Sequence, residues 1–303
     1  MQSERVSSQT APQITSSSTA WIGWIPPFVL PSLAIIFGLR LVAWEFMWLL
    51  ALAIFAGLKW ATWWKARTVV PHKAWRSIAY LLAWPGMDAE KFLDSSQLAT
   101  RPQVREWLWA SAKIVFGILL IWTVARRVST PLAQGWVGLF GLVLLLHFGS
   151  FHLLALFWQT CGVAAQPIMA KPILSRTLSE FWGKRWNLGF RQLAHDLIFR
   201  PLHKRVGVGA ASLLVFVVSG LIHDLVISLP AHGGYGLPTG YFVLQGVGVG
   251  LERSGIGQRL GLQHGFLGWL FMLVFTAVPS FWLFHPPFVL RVILPFMKAI
   301  GAL

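Results

Sequence analysis

Between Trp21 and Phe284 the chain is a succession of apolar runs, several about as long as a bilayer's hydrocarbon core is thick. They are Trp21 to Leu39, Leu41 to Leu58, Trp107 to Ala125, Trp136 to Cys161, Val208 to Leu229, Leu237 to Leu251 and Phe266 to Phe284. A helix needs about 20 residues per crossing, and lipid leaves no water to satisfy any less regular backbone. Ile78 to Trp84 is apolar but too short to span, and Pro85-Gly86 ends it, so it reads as interfacial or re-entrant. The Pro-interrupted stretch from His285 to Leu303 reads as an eighth, partial span. The expected fold is all-α: a polytopic transmembrane helical bundle of about seven to eight spans with re-entrant or interfacial helices.

Composition excludes the soluble alternative. The chain is 56% hydrophobic and only 12% charged, with a mean hydropathy of +0.64. A soluble domain carries roughly 25% charged residues to solvate its surface. Residues 1–19 are Ser-, Thr- and Gln-rich without an apolar h-region, which reads as a disordered tail ahead of one membrane domain, 20–303. The single cysteine, Cys161, rules out an intramolecular disulfide or a cysteine-built zinc cluster. No metal site is expected.

The charge balance is lopsided, 25 Lys plus Arg against 10 Asp plus Glu. Such an excess serves nucleic acid, anionic lipid or cytoplasmic loops, and clustering of the basic residues between apolar spans favours loops. Lys59 to Arg76 holds five basic residues and no acidic one, 162–206 holds eight against Glu180 and Asp196, and 230–236 holds none of either sign. With seven full crossings, the positive-inside rule puts both basic loops and the N-terminus in the cytoplasm, and leaves Arg126 and Arg127 on the wrong side.

Two segments carry candidate chemistry. In Ser179-Glu180-Phe181-Trp182-Gly183-Lys184-Arg185-Trp186-Asn187 and the residues after it, apolar positions recur near helical spacing with Lys184, Arg185, Arg191 and His195 between them. That is the pattern of an amphipathic helix at a membrane surface. The second segment, Ser219-Gly220-Leu221-Ile222-His223-Asp224, lies inside an apolar span. Ionisable side chains cost roughly 2.5–3.5 kcal/mol each at mid-helix on insertion scales, so they face protein or a water cavity. A neutral histidine is a natural general base for a hydroxyl, and a nearby carboxylate is able to orient it. A histidine bonded between helices for packing is the competing account. His223 lies about 22 Å along its span, reachable through a tunnel or cavity.

Together the two segments resemble the membrane-bound O-acyltransferases. FWGKRWN is followed 36 residues after its Asn by the membrane-embedded histidine of SGLIH. Tyr80-Leu-Leu-Ala-Trp84-Pro85-Gly86-Met-Asp88 upstream, and Gly240-Tyr-Phe-Val-Leu-Gln245 with Glu252 downstream, extend the likeness to the wax-synthase-like branch over residues 75–285. The resemblance implies acyl transfer from acyl-CoA, as co-substrate and with no further cofactor, to the hydroxyl of a lipophilic alcohol, as in wax ester synthesis. It carries the family's histidine onto His223 and its second polar position onto Asn187. Trp182, Lys184, Arg185, Trp186, Arg191 and Asp224 are the substrate-binding candidates, the basic ones for the CoA phosphates. The expected partners are acyl-CoA, the alcohol and the bilayer, not nucleic acid.

Two other readings stand beside this one. A transporter or channel would use His223, Asp224, Arg40 and Glu45 as a polar path, although no inverted repeat is visible. A non-catalytic scaffold would keep the fold without turnover. His147 and His152 are five residues apart, about 140° around a helix, so they do not form a metal pair on one face. The glycines at 246, 248 and 250 fit close helix packing better than a phosphate loop.

Overall fold

The computed structural model describes residues 17–303. Of the expected tail, residues 1–16 lie outside the described residues, and Ser17–Trp24 forms a short helix that runs into the first apolar helix. All described regular elements are helical. Six helices are long and apolar enough to cross a membrane. We name those used here α1 (Trp21–Gly38), α2 (Ala43–Ala66), α3 (Ala74–Ala83), α4 (Ala89–Leu93), α5 (Val104–Arg127) and α6 (Pro131–Thr160). They continue as α7 (178–185), α8 (Leu188–Ala231), α9 (Leu237–Arg253) and α10 (Gly265–Leu283). The chain is an integral membrane protein.

The apolar runs coincide with these helices, which extend past the runs into charged residues. α2 continues through Lys59 and Lys65 to Ala66. α9 is 17 residues long, the seventh apolar helix, and carries Glu252 inside it. The expected fifth span is the second part of α8, whose backbone leaves helical geometry at Gly207 (φ 83°, ψ 162°). Residues 188–206 precede that break and carry the basic amphipathic pattern. α3 is a ten-residue helix that buries Arg76, Ala79 and Tyr80 and exposes Trp75, Ile78 and Leu82, so it does not cross. The last stretch is helical without a break from Pro286 to Ala299, with a π turn at Val289–Ile293, and is too short to span the membrane fully.

Long-range hydrogen bonds sort the loops onto two faces. On one, the Arg76 guanidinium donates to Asp94 O (2.8 Å) and Gly162 O (2.9 Å), tying the 67–103 connection to the end of α6. Trp269 Nε1 donates to Ile173 O on the same side. On the other, Arg126 donates to Ala302 O (2.8 Å) and Gly301 O (2.5 Å), and Arg291 to Ala231 O and His232 O. Two of the five basic residues counted in Lys59 to Arg76 are therefore not loop charges: Lys59 is 1% exposed and Arg76 6%. Arg126 is occupied by terminal carbonyls, which gives a structural reason for a charge at that end.

Candidate active site

Asn187 follows Trp186, the cap that closes α7, and is itself the N-cap of α8. It stands in the left-handed region (φ 42°), and its Oδ1 accepts from Phe190 N (3.4 Å), capping the first turn of α8. Bonds on either side fix it, from Trp186 N to Phe181 O (2.8 Å) and from Leu188 N to Ile168 O (2.9 Å). Because a backbone N–H faces Oδ1, the amide nitrogen is the free end. It bonds to no described residue.

His223 lies in the second part of α8, half-buried, with its ring on Phe242 (centroids 4.4 Å apart). Its Nδ1 stands 2.6 Å from Ser219 O. A carbonyl only accepts, so Nδ1 carries a proton, and in the neutral ring Nε2 keeps its lone pair. No described residue takes that lone pair.

A straight helix would hold residues 187 and 223 about 54 Å apart. The break at Gly207 shortens that separation, and only glycine adopts its backbone angles readily. A series of rings then joins the two segments. Phe242 packs on His223 and also on Trp182 (5.6 Å), and Trp182 meets Phe216 (5.8 Å) and Trp186 (6.4 Å), the residue before Asn187. The turns at Phe181–Arg185 and Asp224–Ser228 are both π-helical, the wider winding often found at functional sites.

α9 holds α7 at two points seven residues apart, hence on one face. Gln245, fully buried, accepts from Trp182 Nε1 (3.2 Å) and donates to Phe275 O (2.7 Å). Glu252, 2% exposed, takes the N–H groups of Leu178 (2.5 Å) and Ser179 (3.3 Å), closing the start of α7. A carboxylate there satisfies otherwise unpaired donors and complements the helix dipole. In the sequence Gln245 and Glu252 stand only as positions that match the family likeness. Polar side chains at i and i+7 of an apolar helix were the signal for their part in the site.

The remaining candidates divide. Asp224 turns away from His223 and accepts from Ser228 Oγ (2.9 Å), Gly236 N (2.9 Å), Thr239 N (3.0 Å) and Thr239 Oγ1, so it anchors the start of α9. Arg185 pairs with Glu180 (2.7 Å) and donates to Ala170 O (3.2 Å). The Arg176 N–H, then Arg185, holds the Glu180 carboxyl below the usual carboxylate range. Lys184 and Arg191 are exposed and in no ion pair among the described residues. Arg191 and Lys91 line a cavity of about 230 Å³ between the 84–92 segment and the start of α8. A second cavity of about 370 Å³ adjoins it at Met87, Asp88 and Gln192. Arg40 lies in the turn between α1 and α2, exposed, and Glu45 in the first turn of α2. His152 Nδ1 meets Lys113 Nζ at 2.9 Å, and His147 Nδ1 is buried without a partner.

Comparison with known proteins follows the same residues. Residues 165–244, which hold Asn187, His223 and Phe242, match the model of the membrane bound O-acyl transferase family. The chain is 26% identical over 204 residues to probable long-chain-alcohol O-fatty-acyltransferase 3 of Arabidopsis thaliana, covering 59% of this chain and 56% of that protein. It is 30% identical over 142 residues to the long-chain-alcohol O-fatty-acyltransferase of Simmondsia chinensis, covering 43% and 40%. With probable long-chain-alcohol O-fatty-acyltransferase 9 of Arabidopsis thaliana it shares 31% over 141 residues, covering 42% and 41%. The chain thus spans about half the length, or less, of these curated relatives. Motif order, helical architecture and both comparisons agree that it resembles the membrane-bound O-acyltransferases, in their wax-synthase-like branch.

Proposed function

We propose that the protein is an O-acyltransferase that moves a fatty acyl group from acyl-CoA to the hydroxyl of a lipophilic alcohol, in wax ester-type synthesis, with His223 as general base. The observation that supports this is the bond from His223 Nδ1 to Ser219 O, which directs the ring's proton to the backbone and leaves Nε2 of the neutral ring without a partner among the described residues. Nε2 takes the hydroxyl proton as the alcohol oxygen attacks the thioester carbonyl carbon. The new C–O bond forms, the carbonyl becomes a tetrahedral oxyanion, and the C–S bond then breaks. The leaving thiolate recovers the proton from the imidazolium, so no acyl-enzyme and no cofactor is needed. Asn187, with its amide nitrogen free, donates to the oxyanion or the leaving sulfur. Trp182 and Trp186 form an apolar wall, and Asp224 acts on substrate binding through the start of α9. Lys184 and Arg191 face the CoA phosphates with uncommitted charge, and Arg185 shares its charge with Glu180. This requires the basic loops, 162–206 among them, and the N-terminus on the cytoplasmic side, with the alcohol entering from the bilayer.

The test is thiol release from a panel of acyl-CoAs by membranes carrying the protein, with long-chain alcohols supplied. Release should need both substrates and fall by about 10²–10⁴-fold in His223→Ala, the range expected for loss of a general base. The variant should remain in the membrane at wild-type abundance. Near-normal release from His223→Ala overturns the mechanism. No release from well-expressed wild type, across a broad acceptor panel, overturns the activity and favours a transporter or scaffold.

A further inference from the structure

Lys59 is buried within α2 at 1% exposure, and no carboxylate pairs with it among the described residues. Its Nζ donates to Gly86 O at 2.7 Å and stands 3.1 Å from the centroid of the Tyr80 ring. Tyr80 Oη and Thr62 Oγ1 share a 2.7 Å hydrogen bond, and burial pushes the phenol's ionisation above its ordinary range. The lysine thus meets the face of a neutral ring, the geometry of a cation–π contact. A buried amine forfeits its hydration, and an apolar side chain of similar length would pack α2 against α3 without that loss. What the amine adds is a hydrogen-bond grip on one backbone carbonyl.

That carbonyl belongs to the turn between α3 and α4, within the Trp84-Pro85-Gly86-Met87-Asp88 stretch that the proposed reaction leaves without a role. The turn lies directly against the start of α8. A Cβ added to Gly189 would stand 3.1 Å from Met87 N and 3.2 Å from Gly86 Cα, so the two backbones are in contact. Gly189 is the second residue after Asn187 and sits inside the turn that Asn187 caps. Lys59, Gly86, Gly189 and Asn187 thus form one line of contacts from a membrane helix to the donor amide.

We propose that Lys59 is a positioning residue for Asn187: by holding Gly86 O it fixes the 86–87 backbone against Gly189, and so fixes the capped turn from which Asn187 projects. This rests on the reading of Asn187 as part of the reacting site, but the mechanical half does not depend on turnover. Hydrogen exchange of the purified full chain in nanodiscs tests that half. Lys59→Met should speed exchange of the 188–191 amides by about tenfold, leave 237–253 unchanged, and be reversed in part by Lys59→Arg. Unchanged exchange at 188–191 overturns the clamp.

Kinetics test the consequence. Lys59→Met should lower kcat about 10–100-fold with KM for acyl-CoA within about threefold, and should lower Asn187→Ala no further. Equal losses in both backgrounds would mark a merely structural residue and overturn the proposal. Should Lys59→Met fail to fold, Gly189→Ala presses on the same turn from the other side, and the same exchange and the same non-additivity with Asn187→Ala are expected. An Asn187→Ala variant with wild-type turnover would instead remove Asn187 from the proposed reaction while leaving the exchange result standing.

Discussion

On a helix, adjacent side chains point about 100° apart, and His223 and Asp224 carry that divergence to different partners. The imidazole takes Ser219 O, and the carboxylate takes donors from Ser228, Gly236 and Thr239. Ser228 also meets His285 Nε2 (3.2 Å), and His285 Nδ1 accepts from Phe288 N (3.2 Å). The protons therefore run His285 Nε2–H to Ser228 Oγ, and Ser228 O–H to Asp224. Serine is the middle member, buried, with its O–H donating to the carboxylate, so this is a structural relay and not a nucleophile with its base. Replacing Asp224 by Asn turns one acceptor into a donor facing other donors. We expect Asp224→Asn to cost about 1–3 kcal/mol, the price of a buried unsatisfied group. That is a lower midpoint in thermal unfolding, with kcat retained below it. A hundredfold loss of kcat at unchanged stability would show instead that Asp224 acts on the reacting groups. At this scale His223 was legible because an ionisable side chain in an apolar span stands out. Its tautomer was not, since a backbone acceptor four residues back leaves no mark in sequence. Lys59 was hidden differently: it sits where the apolar run stops and reads as the first loop charge.

Among the elements, α8 has the most to reconcile, since it presents Asn187 at its cap and His223 36 residues later. Gly207 has φ 83°, and a Cβ there would meet nothing within 4 Å. Its importance is therefore backbone conformation and not space. Alanine at such angles costs about 1–3 kcal/mol, and the strain is relieved by straightening the helix. Gly207→Ala should thus lower thermal stability by that amount, or lower thiol release at least tenfold, and both assays left at wild type would contradict the bend. α9 supplies the complementary constraint, because Gln245 and Glu252 grip α7 at its middle and its start. Apolar runs revealed these helices because lipid demands length and hydropathy of each crossing. The bend and the grips depend on which helices meet, and a single chain's periodicity does not encode that.

Across the whole molecule, hydrogen bonds that link distant parts of the chain decide which loops share a face. Arg76 reaches Gly162, and Glu252 reaches Leu178, so the 67–103 and 162–187 connections lie together with the 254–264 connection. Arg126 reaches Ala302 on the opposite face. Seven helices crossing in alternation would produce this sorting, if α9 is counted beside the six long enough to span. The positive-inside rule uses loop charges to say which face is cytoplasmic, and Lys59 and Arg76 are buried and do not belong in that count. Removing them leaves 162–206, with eight basic residues against two acidic, as the dominant orienting segment. Cys161 allows the orientation to be measured without a single mutation. It is the only cysteine in the chain, exposed, and placed at the end of α6 beside Gly162, the carbonyl that Arg76 holds. If the basic face is cytoplasmic, a membrane-impermeant maleimide should label Cys161 in inside-out vesicles directly. In intact cells or right-side-out vesicles it should label only after permeabilisation. The reverse pattern would place 162–206, and with it Lys184 and Arg191, away from cytoplasmic acyl-CoA. The donor could then not enter as proposed, even with His223 intact.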